Sequence, residues 1–412
     1  MLPFLAVIYN RNFRNLWLGQ ITSQIAINMM AFVLMLRIYQ TTTSNTAVSF
    51  LILTIGLPAI FFGVLAGTLV DRWDKRNVLI VTNLLRMVLL VGFFASSETL
   101  PWLYSLVLAI SITTQFFVPA EAPTIPRFVP QELLLTANSA FTFTFYTSMI
   151  AGFVFSGPAL RFFGPHNVFL FLAALLALAA FFVSQIPPEG SPRGEKIKFG
   201  KEELISIYRE SLRGLEFVKR KNEVGGAIFL LTASQALVAS LASLAPGFAD
   251  RILAIEIEDA SYLIMGPAAI GIVIGALLVG QFGRRFTRQN LINLGIILTG
   301  ILLFSLSLDV RFGGLLAAVV LLFLLGVANS LVTVPANTSL QEDAPSQFRG
   351  RVYGVLTSFV GGAAILPVMI TGLAADIFGI GKVIFGIASL IFLYGIYRLI
   401  KEQYNKQISR II

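Results

Sequence analysis

Long apolar runs recur along almost the whole chain, and no other feature narrows its possible folds as far. Each approaches or exceeds the roughly 20 residues an α-helix needs to cross the hydrocarbon core of a bilayer. They fall at 14–38, 46–70, 77–97, 101–119, 134–161 and 166–186. After a polar gap they resume at 224–249, 260–282, 290–308, 312–334, 349–372 and 380–400. Charged residues make up 12% of the 412-residue chain, against about 25% in soluble domains, so the chain lacks the charge to keep such surfaces in water. Hydrocarbon offers the backbone no hydrogen-bond partners, and runs of this length satisfy their own only as helices. The expectation is an all-α polytopic membrane protein with twelve transmembrane helices.

Twelve crossings return both termini to one side, and the basic residues say which. Of the 30 Lys and Arg residues, 24 lie on the side of the termini, nine of them in the central gap between Arg193 and Lys221. The other side holds five, namely Arg37, Arg161, Arg251, Arg311 and Lys382, and Arg86 lies inside a span. This positive-inside bias predicts cytoplasmic termini in a plasma membrane. The net charge of +9 is then matched to anionic lipid headgroups rather than to nucleic acid. The start, Met1-Leu2-Pro3-Phe4, has no basic segment ahead of its apolar stretch, so the first span is expected to act as its own insertion signal.

Composition also removes most chemistry. There is no cysteine and only one histidine, His166, which excludes disulfides and thiolate metal sites and leaves nothing for a histidine-based metal cluster or a catalytic triad. Gly361-Gly362 and Gly379-x-Gly381 lack the strand that a nucleotide fingerprint requires, and no Walker sequence occurs. No cofactor, metal or enzymatic activity is expected.

The gap opens with Pro187, Pro188, Gly190, Pro192 and Gly194, a loop signature. Leu204, Tyr208, Leu212, Leu215 and Val218 then recur at helical spacing, which predicts an interfacial helix on the cytoplasmic leaflet. On either side of the gap the sequence echoes itself at an offset near 211 residues. Ser23-Gln24 returns as Ser234-Gln235, and Gly67 through Asn77 as Gly280 through Asn290. The Pro119-Ala120 loop returns as Pro335-Ala336, and Gly157-Pro158 is answered by Pro367. Four echoes in order predict two six-helix pseudo-repeats around a central cavity. The expected division is an N-terminal bundle over 1–186, a linker over 187–223, and a C-terminal bundle with a short tail over 224–412.

Gly67 through Arg76 resembles the loop signature between spans two and three of the major facilitator superfamily, with Asp74 and Lys75 standing where that pattern has Gly and Arg. Gly152 with Gly157-Pro158 resembles the span-five motif of its antiporters, with Leu160 and Arg161 in place of the final glycines. Pro119–Asn138 and Gln341–Tyr353 resemble the macrolide-efflux-type exporters, and lysophospholipid transporters are similar through the first of these stretches. The resemblance implies a monomeric secondary transporter that exports hydrophobic or amphipathic small molecules by alternating access, with protons as a possible coupling ion. Lysophospholipid transport between leaflets is the alternative, and a transport-dead receptor or scaffold a third.

Each candidate site residue has a structural reading beside the functional one. Gly67, Asp71, Arg72, Lys75 and Arg76 form a gate in the family pattern, or simply hold a short loop inside. Arg86 lies about 13 Å into its span at 1.5 Å per residue, and an ionisable group at that depth wants a partner. Glu121 is the expected one, as a structural ion pair or as a coupling site. Gln20, Gln24, Asn28, Gln115, Tyr146, Gln235 and Asn329 are candidates for lining a substrate cavity. Gly152, Gly157 and Pro158 are candidates for helix packing. Span six, Val168 to Val183, carries no polar side chain and is expected to face lipid.

Because the chain has no cysteine, single substitutions can report its topology directly. A cysteine placed in the 187–223 gap should react with an impermeant maleimide only from the cytoplasm, and Glu256→Cys only from outside. The reverse pattern would overturn the twelve-span arrangement.

Overall fold

The computed structural model describes residues 7–70, 73–95, 99–189, 221–309, 314–343 and 365–411. Among the described residues all regular structure is helical. In chain order the helices are α1 (Arg11–Thr42), α2 (Asn45–Val70), α3 (Lys75–Ala95), α4 (Leu100–Glu121), α5 (Leu134–Ser184), α6 (Asn222–Phe248), α7 (Gly266–Phe282), α8 (Arg288–Asp309), α9 (Gly314–Asp343), α10 (Ile365–Phe378) and α11 (Ile380–Ile411). All but α10 contain a stretch long and apolar enough to cross a membrane, the one through α7 counting the turns before it from Ile257. The helix α5 has 51 residues and carries two crossings, because Gly164 breaks it with φ 78° and ψ 169° just before Pro165. That conformation suits glycine, and the proline after it cannot continue the preceding helix. With the described part of span eleven, α10, these helices make the twelve-helix architecture. The expected interfacial helix over 204–218 and the start of span eleven lie outside the described residues.

Short polar residues set where the helices begin. The Asn10 side chain accepts hydrogen bonds from the backbone N–H groups of Asn12 and Phe13 at 3.0 and 3.1 Å, capping α1. Its amide also donates to Phe128 O at 2.6 Å, tying that start to the loop after α4. Ser44, Asp74 and Thr287 cap α2, α3 and α8 through Ala47 N, Asn77 N and Asn290 N. Each satisfies a donor that helix geometry leaves without a partner.

The helices form two compact units, one of Met1–Thr42 with Phe50–Ile197 and one of Thr43–Ser49 with Lys198–Ile412. The short segment Thr43–Ser49 thus counts with unit 2, although the span reading assigns it to the first six helices. In unit 1, α1 lies against α5 so closely that a Cβ on Gly152 would sit 2.7 Å from Asn28 Cβ and 2.9 Å from Met29 N. The hydrophobic core there gathers Phe13, Leu16, Phe117, Phe141 and Val183. In unit 2, α7 and α9 touch backbone to backbone. A Cβ on Gly275 would sit 2.8 Å from Val327 Cα, and Ser330 Oγ donates to Ile272 O at 2.7 Å across the same seam. Small residues at such seams let helices approach where lipid gives no hydrophobic drive to associate.

Gly275→Leu should therefore force α7 off α9. Overpacking of this kind costs about 1–3 kcal/mol or more, read as a clear fall in the thermal midpoint of the purified protein. An unchanged midpoint would contradict the close seam.

Candidate functional site

In unit 1 the turn before α3 is built from charge. Residues Asp71 and Arg72 lie outside the described residues, and Gly67 sits half-buried near the end of α2. The rest of the motif is tied to the chain after span six. Lys75 Nζ lies 3.3 Å from Glu189 Oε2, and Arg127 Nε 4.0 Å from the other oxygen of that carboxylate. Arg76 Nη2 donates to Ser184 O at 2.6 Å. Asp74 caps α3 with one oxygen and accepts from Glu189 N at 2.9 Å with the other. Lys75 and Arg76 therefore hold spans three and six together within one unit. Asp74, the departure from the family glycine, is part of that tie, and sequence reasoning assigned it no role.

Arg86 is 1% exposed, the largest fully buried side chain described. It donates from Nη2 to Asn83 Oδ1 at 2.8 Å and from Nε to Thr82 O at 3.2 Å. Its guanidinium carbon lies 4.5 Å from the centroid of the Phe117 ring. Ser23 Oγ donates to the same Asn83 oxygen at 3.1 Å, joining α1 to the cluster. The direct contact expected with Glu121 is not formed. Glu121 is buried nearby at the end of α4, and its Oε1 has no hydrogen-bond partner. The two groups interact only through space, because Arg86 spends its donors on its own helix and meets α4 at the Phe117 ring rather than at Glu121.

The expected cavity residues of unit 1 are spent in different ways. Gln20 is buried; its amide donates to Phe141 O at 3.4 Å and its carbonyl accepts from Thr144 Oγ1 at 3.0 Å. It bridges α1 to α5. Asn28, half-buried, donates to Gln24 O at 2.8 Å and lies 3.4 Å from Gln24 Oε1, so these two share a face of α1. Gln115 donates to Ser111 O of its own helix at 3.2 Å. Tyr146 is in α5, and its side chain lies outside the described residues. Of the packing motif, Gly152 and Gly157 are buried and Pro158 is exposed.

Unit 2 contains the clearest cavities. One lies among α6, α7, α8 and α9 with Ile384 of α11, and its described lining side chains are apolar apart from Thr299 and Asn329. A second lies among α6, α8, α9 and α11 and shares Leu237, Thr299 and Asn329 with the first. Asn329, a candidate from sequence, thus lines both, whereas Gln235 is exposed on α6 and lines neither. The Thr299 hydroxyl donates to Gly295 O at 2.8 Å.

A carboxylate cluster in unit 2 was not visible in the sequence. Asp376, near the end of α10, accepts at Oδ2 from Ser44 Oγ, Thr46 N and Thr46 Oγ1 at 2.7, 2.9 and 2.7 Å. At Oδ1 it accepts from Asn45 N and Asn45 Nδ2, both at 2.9 Å. Arg251 Nη2 donates to Thr43 O beside it at 2.5 Å. The carboxylate sits on the N-terminus of α2, where the helix dipole favours an anion. A lone Asp after an apolar run carries no local signal of a partner more than 300 residues away. Among the described residues no group of three His, Cys, Asp or Glu side chains is placed to hold a metal ion.

The chain resembles known transporters over nearly its full length. It is 25% identical over 377 residues to the uncharacterized MFS-type transporter YfiS of Bacillus subtilis (strain 168), covering 89% of this chain and 87% of that one. It is 24% identical over 400 residues to macrolide efflux protein A of Streptococcus pyogenes, covering 93% and 94%. Among solved structures, the nucleoside transporter NupG superposes with a TM-score of 0.72 at 14% identity, covering 94% of this chain and 98% of that one. A bacterial homolog of the human lysosomal transporter Spinster, in an inward-facing and unoccupied conformation, gives 0.70 at 15% identity, covering 95% and 98%. The family model for the Major Facilitator Superfamily matches residues 16–368. With that match across two six-helix runs of membrane-spanning length, the chain belongs to the Major Facilitator Superfamily.

Proposed function

We propose that this transporter is a secondary active exporter of hydrophobic or amphipathic small molecules, working by alternating access as a monomer in the cell membrane with both termini in the cytoplasm. The observation that carries the reading is the lining of the unit 2 cavities, apolar almost throughout with an amide at their junction. Sites for drug-sized ligands are lined in this way, mostly apolar with a few placed polar groups. The likeness to a protein named for macrolide efflux agrees with it. Gly67, Asp71, Arg72, Lys75 and Arg76 form the cytoplasmic gate in this reading, with Asp71 the switching member. Lys75 and Arg76 stay bonded inside unit 1 and hold the turn in place. Gln24 and Asn28 on α1, together with Gln115, Gln235 and Asn329, are the polar groups offered to substrate. Gln20 is a positioning residue, since its amide is engaged with α5.

Proton coupling, where transport is gradient-driven, is assigned to Glu121. Its Oε1 is buried without a hydrogen bond beside the Arg86 cluster, so gaining or losing a proton changes the local charge balance with little solvent to screen it. Lysophospholipid transport between leaflets is the second reading, favoured by two apolar cavities that follow one another along α6.

Expression in a bacterial strain lacking its own exporters separates these readings. Macrolide accumulation should fall when the chain is expressed, whereas lysophospholipid uptake without macrolide efflux would establish the second reading and overturn the first. Asp71→Asn should insert normally and lose roughly tenfold or more of the transport rate, equivalent to about 1.4 kcal/mol. Unchanged transport would reduce the motif to a topology signal. In liposomes with an imposed pH gradient, Glu121→Gln should lose gradient-driven transport while retaining substrate exchange. Gradient-driven transport that survives Glu121→Gln would move the proton site elsewhere.

A further inference from the structure

A donor and an acceptor are left over in one cluster of unit 1. Asn83 is fully buried on α3, and its Nδ2 has no hydrogen-bond partner among the described residues. Glu121 is buried at the end of α4, and its Oε1 has none either. Burying an amide or a carboxylate unpaired is costly. The two helices bring these atoms level. Arg86 of α3 meets Phe117 of α4, its guanidinium carbon 4.5 Å from the ring centroid. As consecutive crossings, α3 and α4 run in opposite directions. From that contact Asn83 lies three residues back along α3, and Glu121 four residues on along α4. At 1.5 Å per residue these are shifts of about 4.5 and about 6 Å toward the same end of the unit. Spacings of three and four also keep each residue on the helix face that carries the contact.

The Asn83 amide has a fixed orientation. A guanidinium only donates, and Arg86 Nη2 lies 2.8 Å from Oδ1, so the oxygen faces Arg86 and the nitrogen faces away. Ser23 Oγ on α1 donates to that same oxygen at 3.1 Å. Ser23 directly precedes Gln24, which takes a bond from Asn28. One side chain thus holds α1 by its oxygen and carries an unpaired donor at the level of Glu121. Among the described residues the other charges nearby are engaged or distant. On α3, Arg86 acts on Glu121 through space, and Lys75 is paired with Glu189. In the turn Ala122–Arg127 the one charge, Arg127, is also on Glu189. Arg11 and Arg14 of α1 and Glu132 before α5 are exposed, and Arg161 sits by the break in α5.

We propose that Asn83 is a positioning residue that links Glu121 to α1. Its Nδ2 closes on Glu121 Oε1 when the carboxylate is ionised and parts from it when Oε1 takes a proton, and the Ser23 bond carries that movement to α1. An ionised carboxylate draws an amide donor through a charge-assisted bond, whereas a proton on Oε1 sets donor against donor. The parted form is the one seen here, with both atoms unpaired. Because α1 carries Gln24 and Asn28, the charge state of Glu121 reaches the groups offered to substrate through two hydrogen bonds. The relay rests on the assignment of proton coupling to Glu121 and adds the path by which that proton is felt.

The test needs no substrate. The full chain, which has no cysteine, is spin-labelled at Arg14→Cys on α1 and Val118→Cys on α4, both exposed positions, and placed in nanodiscs. The distance between the labels is measured from about pH 5 to about pH 9, a range that spans the change of charge of a perturbed carboxyl. In the parent the distance should shift with pH. Ser23→Ala, which cuts only the tie to α1, should abolish the shift, and Ser23→Thr, which restores a hydroxyl, should bring it back. Asn83→Asp keeps an oxygen for Arg86 and Ser23 but offers Glu121 no donor, and should hold the labels at their low-pH distance throughout. An Asn83 that served structure alone would lower the thermal midpoint when replaced and leave the pH dependence in place. Should Ser23→Thr fail to fold, Ser23→Ala and Asn83→Asp still decide. A shift that survives Ser23→Ala, or a parent without any shift, would overturn the relay. In either case loss of gradient-driven transport in Glu121→Gln would leave Glu121 as the coupling site. A distance that still shifts with pH in Glu121→Gln would remove Glu121 and the relay together.

Discussion

A chain that lies mostly in hydrocarbon must satisfy its polar groups from within, and the rest of this structure follows from how it does so. The backbone is dealt with by making every crossing a helix. The side chains are harder, because each amide, hydroxyl or charge in a span needs a partner on a neighbouring helix or on its own preceding turn. Arg86 is the extreme case. It is accommodated by Asn83 and Thr82 on its own helix, by the face of Phe117, and at one remove by Ser23 on α1. A buried guanidinium held in this way fixes the relation of three helices, since α1, α3 and α4 each contribute one part of its surroundings.

The two units meet the same constraint differently. Unit 1 spends its polar groups on bonds between helices: Gln20 to α5, Ser23 to α3, and Arg76 to the end of span six. Unit 2 joins α11 to α8 through Arg398 Nε, which donates to Asn293 Oδ1 at 3.1 Å, and elsewhere packs through small residues, with Gly275 against α9 and Ser330 bonded to Ile272 O. Its cavities are correspondingly apolar, and Asn329 remains there with an unspent amide. Asp376 adds a second kind of tie, a carboxylate that gathers five donors from the start of α2.

Much of the fold was legible because its signals are local. Apolar runs gave the crossings, Gly164-Pro165 fell where spans five and six divide, and Gly152 proved to be where α1 and α5 touch. The depth of Arg86 was also readable from its position along a span. The partner was not. Glu121 was the first choice of opposite charge, yet Arg86 bonds to neutral groups three and four residues back, as helical spacing allows. Gln20 and Gln24 look alike in sequence, and only the angle of α1 against α5 makes one a bridge and leaves the other half-exposed. Asp74 broke a family pattern, and its role emerged only when Glu189 was found to sit on it.

The claim that buried polar groups are satisfied cooperatively inside unit 1 is tested most directly by a double-mutant cycle on the Arg86 cluster. Unfolding free energies would be measured for Asn83→Ala, Arg86→Met and the pair, by titration into denaturing detergent. A shared network predicts a coupling energy of about 1–3 kcal/mol, with the double variant recovering part of what Asn83→Ala loses by stranding a buried charge. Additive effects, agreeing within about 0.5 kcal/mol, would mean that Arg86 and Asn83 are satisfied independently and would contradict the account.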